Sequence, residues 1–192
     1  MKFLFFLLFF FNPHPTTAKI AALVPQVGKH YPILTVEKNV NPENTMIVYT
    51  KTDDQCRFLK TGPSILFDFY WLMEHKDYKP VHKLIKKEIR KSLQIDDAVA
   101  KNATQFVVKL KNLEKVKTDI ADPRLTVLAQ SKDGECQVEG QIRLGPSDHQ
   151  ALIRLDSLYT EGRKFPPAVF SVTLKGEDVR TGKAITRKYL AK

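Results

Sequence analysis

Apolar and polar side chains alternate with a period of two through much of this chain, the pattern of strands with one buried face. Cys136, Val138, Gly140, Ile142 and Leu144 interleave with Gln137, Glu139, Gln141 and Arg143. Phe106, Val108 and Leu110 alternate with Gln105, Lys109 and Lys111, and Ala168, Phe170, Val172 and Leu174 with Val169, Ser171, Thr173 and Lys175. Weaker alternation predicts strands over 33–38, 46–51, 55–59, 125–130, 149–159 and 184–190. Turn residues punctuate these runs: Asp133-Gly134, Gly145-Pro146-Ser147-Asp148, Pro166-Pro167 and Thr181-Gly182-Lys183. Glycine tolerates the positive φ that a tight hairpin requires. Links this short favour an antiparallel meander, because parallel neighbours need long crossovers. The expected fold is therefore mainly β (α+β): a meander forming a barrel, whose closure removes exposed edges, or a two-layer sandwich.

Two segments depart from simple alternation. Residues 65–73, Ile-Leu-Phe-Asp-Phe-Tyr-Trp-Leu-Met, are apolar on both faces except at Asp68, which predicts a strand covered on both sides. A carboxylate there must be paired, hydrogen-bonded or raised in pKa. Asp68 is thus either a ligand contact or a residue bonded to backbone or to a Lys or Arg. Tyr70 and Trp71 would line the same interior. After Pro80, a residue suited to a first helical turn, Val81, Leu84, Ile85, Ile89 and Leu93 follow helical spacing and predict one amphipathic helix ending near Asp96-Asp97. Lys83, Lys86, Lys87, Arg90 and Lys91 occupy much of its other surface. They read either as a solvated face or as a site for an anionic surface.

The beginning of the chain has a different character. Met1-Lys2 is followed by Phe3 to Phe11, all Phe or Leu, then by Asn12-Pro13-His14-Pro15 and the small residues Thr16-Thr17-Ala18. A positive end, an apolar run and a small-residue exit make the plan of a secretory signal peptide. The apolar run would span about 14 Å as a helix, too short for a bilayer core of roughly 30 Å. The expected organisation is a signal peptide over 1–18, with Ala21 and Ala22 as alternative cleavage positions. A lead-in segment over 19–32 and a single β-rich domain over 33–192 follow. No later stretch is long and apolar enough to span a membrane, so the expected location is periplasmic or secreted.

Composition narrows the partners. The 192 residues are 43% hydrophobic and 27% charged, which excludes disordered and low-complexity classes. Lys and Arg number 31 against 21 Asp and Glu, a net charge of +10. Outside the cytoplasm, such an excess matches anionic lipid, lipopolysaccharide or acidic glycan better than nucleic acid.

Candidate chemistry is sparse. The chain carries no Gly-x-Ser-x-Gly elbow, no phosphate-cradling glycine loop and no His-Glu-x-x-His helix. His75 and His82 lack a metal-ligand spacing, so neither metal nor cofactor is expected. The paired acids Asp53-Asp54 and Asp96-Asp97 fit turn chemistry. Cys56 and Cys136 either form one disulfide, as an oxidising compartment allows, or serve as small buried hydrophobes.

Several stretches together resemble a bacterial family known only as domain of unknown function number four thousand eight hundred and thirty-three. They are Val36-Glu37-Lys38-Asn39 leading to Asn44 and Ile47-Val48-Tyr49, then Gly62-Pro63 ahead of Phe69-Tyr70-Trp71 and a helix. Near the end, Pro167 and Val169 precede Leu174-Lys175-Gly176-Glu177-Asp178-Val179-Arg180-Thr181-Gly182. The resemblance spans roughly 33–190 and implies an exported protein, with no reaction, substrate or catalytic residue attached. The expected function is that of a non-enzymatic envelope protein binding an anionic or amphiphilic ligand or surface. A module docking another envelope protein is the alternative, and a hydrolase with an unrecognised site stands third.

Overall fold

Alternation and turn chemistry produce most of the strands in the computed structural model, which describes residues 30–38, 45–61, 64–72, 78–80, 98–120, 122–145, 150–163 and 168–192. In chain order these are β1 (His30–Lys38), β2 (Thr45–Lys51), β3 (Lys60–Thr61), β4 (Ser64–Ile65), β5 (Phe67–Leu72), β6 (Tyr78–Pro80) and β7 (Val99–Ala100). β8 (Gln105–Lys109), β9 (Arg124–Lys132), β10 (Glu135–Leu144), β11 (Ala151–Arg163), β12 (Ala168–Asp178) and β13 (Ala184–Leu190) follow. A 3-10 helix, Lys111–Lys115, is the helical element among the described residues. The fold is mainly β, and its principal sheet curls into a half-barrel. The hairpin signals hold: Asp133 and Gly134 both take positive φ between β9 and β10, and Gly182 does so between β12 and β13.

That sheet has eleven strands in the order β6-β5-β2-β1-β11-β10-β9-β8-β7, with β12 and then β13 on the other edge of β11. The run β8 to β13 is the expected meander. β1 departs from it by pairing in parallel with β11, from Thr35↔Ser157 to Lys38↔Thr160. β11 therefore serves two partners along one edge, β10 as far as Arg154 and β1 from Ser157 onward. A bulge between Leu155 and Ser157 sits at this fork. Bulges bend a strand and sharpen its twist, which lets the two wings diverge from β11 and curl toward each other.

Between the wings lies the core, with Val36, Val48, Phe69, Phe106, Val127, Leu158 and Val172 among its buried members. Phe106 meets Phe58 and Phe67 edge-on, at centroid distances of 4.7 and 5.4 Å. The void bounded by Leu34, Val48, Phe67, Leu110, Leu125 and Val127 measures about 10 Å³, room for a single water at most. An interior site for a ligand, which would take several hundred Å³, is not found there.

Several expectations change on the structure. β1 begins at His30, inside the segment read as a lead-in. Residues 55–59 form no strand, because the Asp53 carboxylate accepts the backbone N–H groups of Gln55 and Arg57 and turns the chain. The strand expected over 65–73 breaks at Leu66. Ile65, Phe67 and Phe69 are buried while Leu66, Asp68 and Tyr70 are half-buried, so one face lies in the core and the other does not. Pro80 closes the short strand β6, opposite Tyr70. Residues 81–97, with the expected helix and its Lys83, Lys86, Lys87, Arg90 and Lys91, lie outside the described residues, as does the expected signal peptide.

Candidate functional site

β5 alternation places Asp68 and Tyr70 on the face turned away from Phe67 and Phe69. There Asp68 Oδ2 lies 3.0 Å from Lys51 Nζ and 3.8 Å from His30 Nε2, with the three side chains between 17% and 31% exposed. The Tyr70 ring packs edge-on against Tyr49, with centroids 5.3 Å apart, and lies 6.4 Å from the His30 ring. Asp68 thus has the basic partner that a carboxylate in this setting requires. Burial lowers the His30 pKa, the Lys51 ammonium lowers it further and Asp68 opposes both. The result is a balanced Asp68–Lys51 pair beside a neutral imidazole, with no Ser or Cys nucleophile among the named contacts. Trp71 pairs in register with Met46 on β2.

This cluster makes a pH prediction. Folded His30 binds its proton more weakly than it does in the unfolded chain, where 6.5 is its ordinary value. Below that value the unfolded chain holds more protons, so the His30 contribution is complete above about pH 6.5 and is lost as pH falls toward the folded pKa. His30→Gln should flatten that part of the stability–pH curve. Lys51→Met removes a repelling charge and leaves Asp68 facing the imidazole alone, so the His30 titration followed by NMR should move to higher pH. A titration unmoved or shifted downward would contradict the assignment.

A second constellation lies at the end of the molecule where the chain around the 3-10 helix meets the end of β13. Leu110, Leu113 and Val116 are buried at a spacing of three, the repeat of a 3-10 helix. Asn112 is buried beside them and donates to Thr160 Oγ1 at 3.1 Å. Burying these positions leaves Lys111, Glu114, Lys115 and Lys117 exposed. The Lys117 N–H donates to the Leu190 carbonyl at 2.7 Å, and the Lys192 N–H to the Lys115 carbonyl at 3.3 Å. These bonds bring the last residues alongside the lysine-rich segment. A hydrogen bond from Lys109 holds the Glu114 carboxyl below its ordinary pKa, with Lys109, Lys111 and Lys192 adding favourable charge. Glu114 thus stands among Lys109, Lys111 and Lys192, and Asp119, beside Tyr189, is a second carboxylate at this end of the molecule. Beside them Leu190 is 62% exposed and Phe170 45% exposed. The Arg163 guanidinium lies 6.0 Å from the Phe170 ring centroid.

Sequence reading placed the basic surface on residues 83–91 and passed over this one. A local signal existed in the lysines of Lys109-Leu-Lys-Asn-Leu-Glu-Lys-Val-Lys117, but the contribution of Lys192 depends on the bridge between Val116 and Ala191. Among the described residues, no group of three His, Cys, Asp or Glu side chains could hold a metal ion, and no helix is long and apolar enough to cross a membrane. Cys56 and Cys136 are joined as a disulfide. No family model matches the chain, and no curated protein or solved structure matches it either.

Proposed function

We propose that this is an exported, non-enzymatic protein that binds anionic surfaces, lipid headgroups foremost, through the lysine cluster at the end of β13. The supporting observation is the joining of Lys115, Lys117 and Lys192 beside exposed Leu190 by the 115–117 and 190–192 backbone bonds, with Lys111 and Lys192 both near Glu114. Lysines attract an anionic surface at about 1 kcal/mol each, and an apolar side chain among them can enter the headgroup layer. The signal-peptide pattern over 1–18 and the disulfide, a bond that persists in oxidising compartments, favour export. Kinship with the exported family named above belongs to the same reading. Lys83, Lys86, Lys87, Arg90 and Lys91 would add to the attraction.

Co-sedimentation with phosphatidylglycerol vesicles tests the reading, with phosphatidylcholine as the neutral comparison. Binding should be selective for the anionic vesicles and weaken with salt. The triple variant Lys111→Gln, Lys115→Gln, Lys117→Gln should bind roughly 100-fold more weakly, from about 1 kcal/mol per lysine. Equal binding to both vesicle types, or an unchanged triple variant, would remove the proposal.

A further inference from the structure

We infer that the outer edge of β13, open over Ala184–Lys188 among the described residues, is a docking site for an extended acidic peptide segment, added to the sheet as a further strand. The register defines which backbone groups are available. The Asp178 N–H donates to the Lys183 carbonyl at 2.9 Å and the Ala191 N–H to the Phe170 carbonyl at 2.8 Å. These bonds frame the pairs Val172↔Tyr189, Leu174↔Arg187 and Gly176↔Ile185 as the hydrogen-bonded ones. The intervening residues Ala184, Thr186, Lys188 and Leu190 therefore turn their N–H and C=O groups away from β12.

The chain already uses part of this edge. The Leu190 carbonyl accepts from the Lys117 N–H, and Val116 bridges Ala191 in antiparallel fashion. A short piece of strand is thus added at the end of β13. Among the described residues, no strand continues that addition past Ala184, Thr186 and Lys188, whose side chains are exposed.

Charge selects the occupant. From Arg180 to Lys192 the chain carries Arg180, Lys183, Arg187, Lys188 and Lys192, with no Asp or Glu. Glu161 engages Lys188 at 3.1 Å, Asp178 lies beside Arg180 and Glu114 beside Lys192, so Lys183 and Arg187 are the cations of this stretch with no acid against them among the described contacts. Cationic edges repel a second copy of themselves, the usual safeguard against edge-to-edge association. The same charges attract a strand bearing alternating carboxylates. Main-chain bonds would then supply affinity and the cations would choose the partner. This inference is independent of vesicle binding, because it concerns the backbone of Ala184–Lys188 and not the 109–117 lysines.

The probe is a capped, fluorescent peptide of about seven residues alternating glutamate with valine, titrated into the full chain by anisotropy. It should bind, whereas a lysine–valine peptide should not. N-methylation of alternate peptide residues on one edge should weaken binding at least about tenfold, while methylation of the opposite edge leaves it intact. Thr186→Pro removes an outward N–H without touching the β12 ladder and should weaken binding to a similar extent. The methylated peptides test the same point on the unaltered protein. Absence of binding, or equal binding by both methylated peptides, would overturn the proposal, the latter outcome showing attraction by charge alone. A dimer of the unmodified chain that Thr186→Pro dissociates would assign the edge to a second copy and overturn it as well.

Discussion

Replacing Gly176 with alanine should cost the fold about 3–5 kcal/mol, near the upper limit for a single substitution. The reason lies at the fork in β11. Gly176 pairs with Leu155, immediately before the bulge, and the next β12 pair is Lys175↔Ser157. A Cβ at Gly176 would stand 2.1 Å from the Arg154 carbonyl oxygen, 3.0 Å from its carbon and 2.9 Å from Ile153 Cγ2. Two of these neighbours are backbone and cannot swing aside as a side chain could. Relief would require moving the strand at Arg154, which pairs with Gln141 on β10, beside Ile153 and its partner Ile142 in the core. It would also disturb the ion pair of Arg154 with Glu177. Gly134 provides the comparison. It takes φ +81 with open space around it, so Gly134→Ala meets only the left-handed conformational cost of about 1–2 kcal/mol. Urea unfolding followed by far-UV circular dichroism should rank Gly176→Ala well below Gly134→Ala. Equal losses would mean that the fork yields, and that the bulge does not dictate glycine.

The same fork marks where sequence reasoning stops. Hairpins are local: Asp133-Gly134 fixes its own turn, and the alternation of Cys136 to Leu144 fixes which side of β10 meets the core, so both were legible. The β1–β11 pairing joins residues more than a hundred positions apart, and no local pattern at Thr35 names Ser157 as its neighbour. The bulge at Asp156 is equally silent, because an extra residue in a long strand leaves the composition ordinary. At 55–59 the apolar content of Cys56 and Phe58 mimicked a strand, but the Asp53 side chain competed for the backbone N–H groups and won. Asp68 was legible as a carboxylate in need of a partner. That the partners are Lys51 and His30 followed only from β2 pairing with β5 and β1 lying next beyond β2. The lysine cluster needed a tertiary contact as well, since Lys192 reaches Lys115 through the Val116–Ala191 bridge.

Removing the Cys56–Cys136 bridge should have an effect of similar size, by a different route. The bonded residues are 80 positions apart, and Cys56 in the turn after β2 belongs to one wing while Cys136 on β10 belongs to the other. A crosslink closing a loop of that length restricts the unfolded chain by about 4–5 kcal/mol in the chain-entropy account. Cys56→Ala with Cys136→Ala should therefore lower the melting temperature by roughly 10–15 °C for a protein of this size. The alanine pair also retains a local cost. Cys56 holds φ +60, where a side chain is strained, and the bridge is one of the contacts that keeps it there. Glycine has no such cost, so Cys56→Gly with Cys136→Ala should recover about 1 kcal/mol relative to the alanine pair. Recovery would show that the Asp53 turn keeps its left-handed geometry without the crosslink. If the alanine pair melted within about 2 °C of the intact protein, packing of Phe58 and Phe67 on Phe106 would suffice to hold the wings together. The bridge would then not be what ties the two wings together.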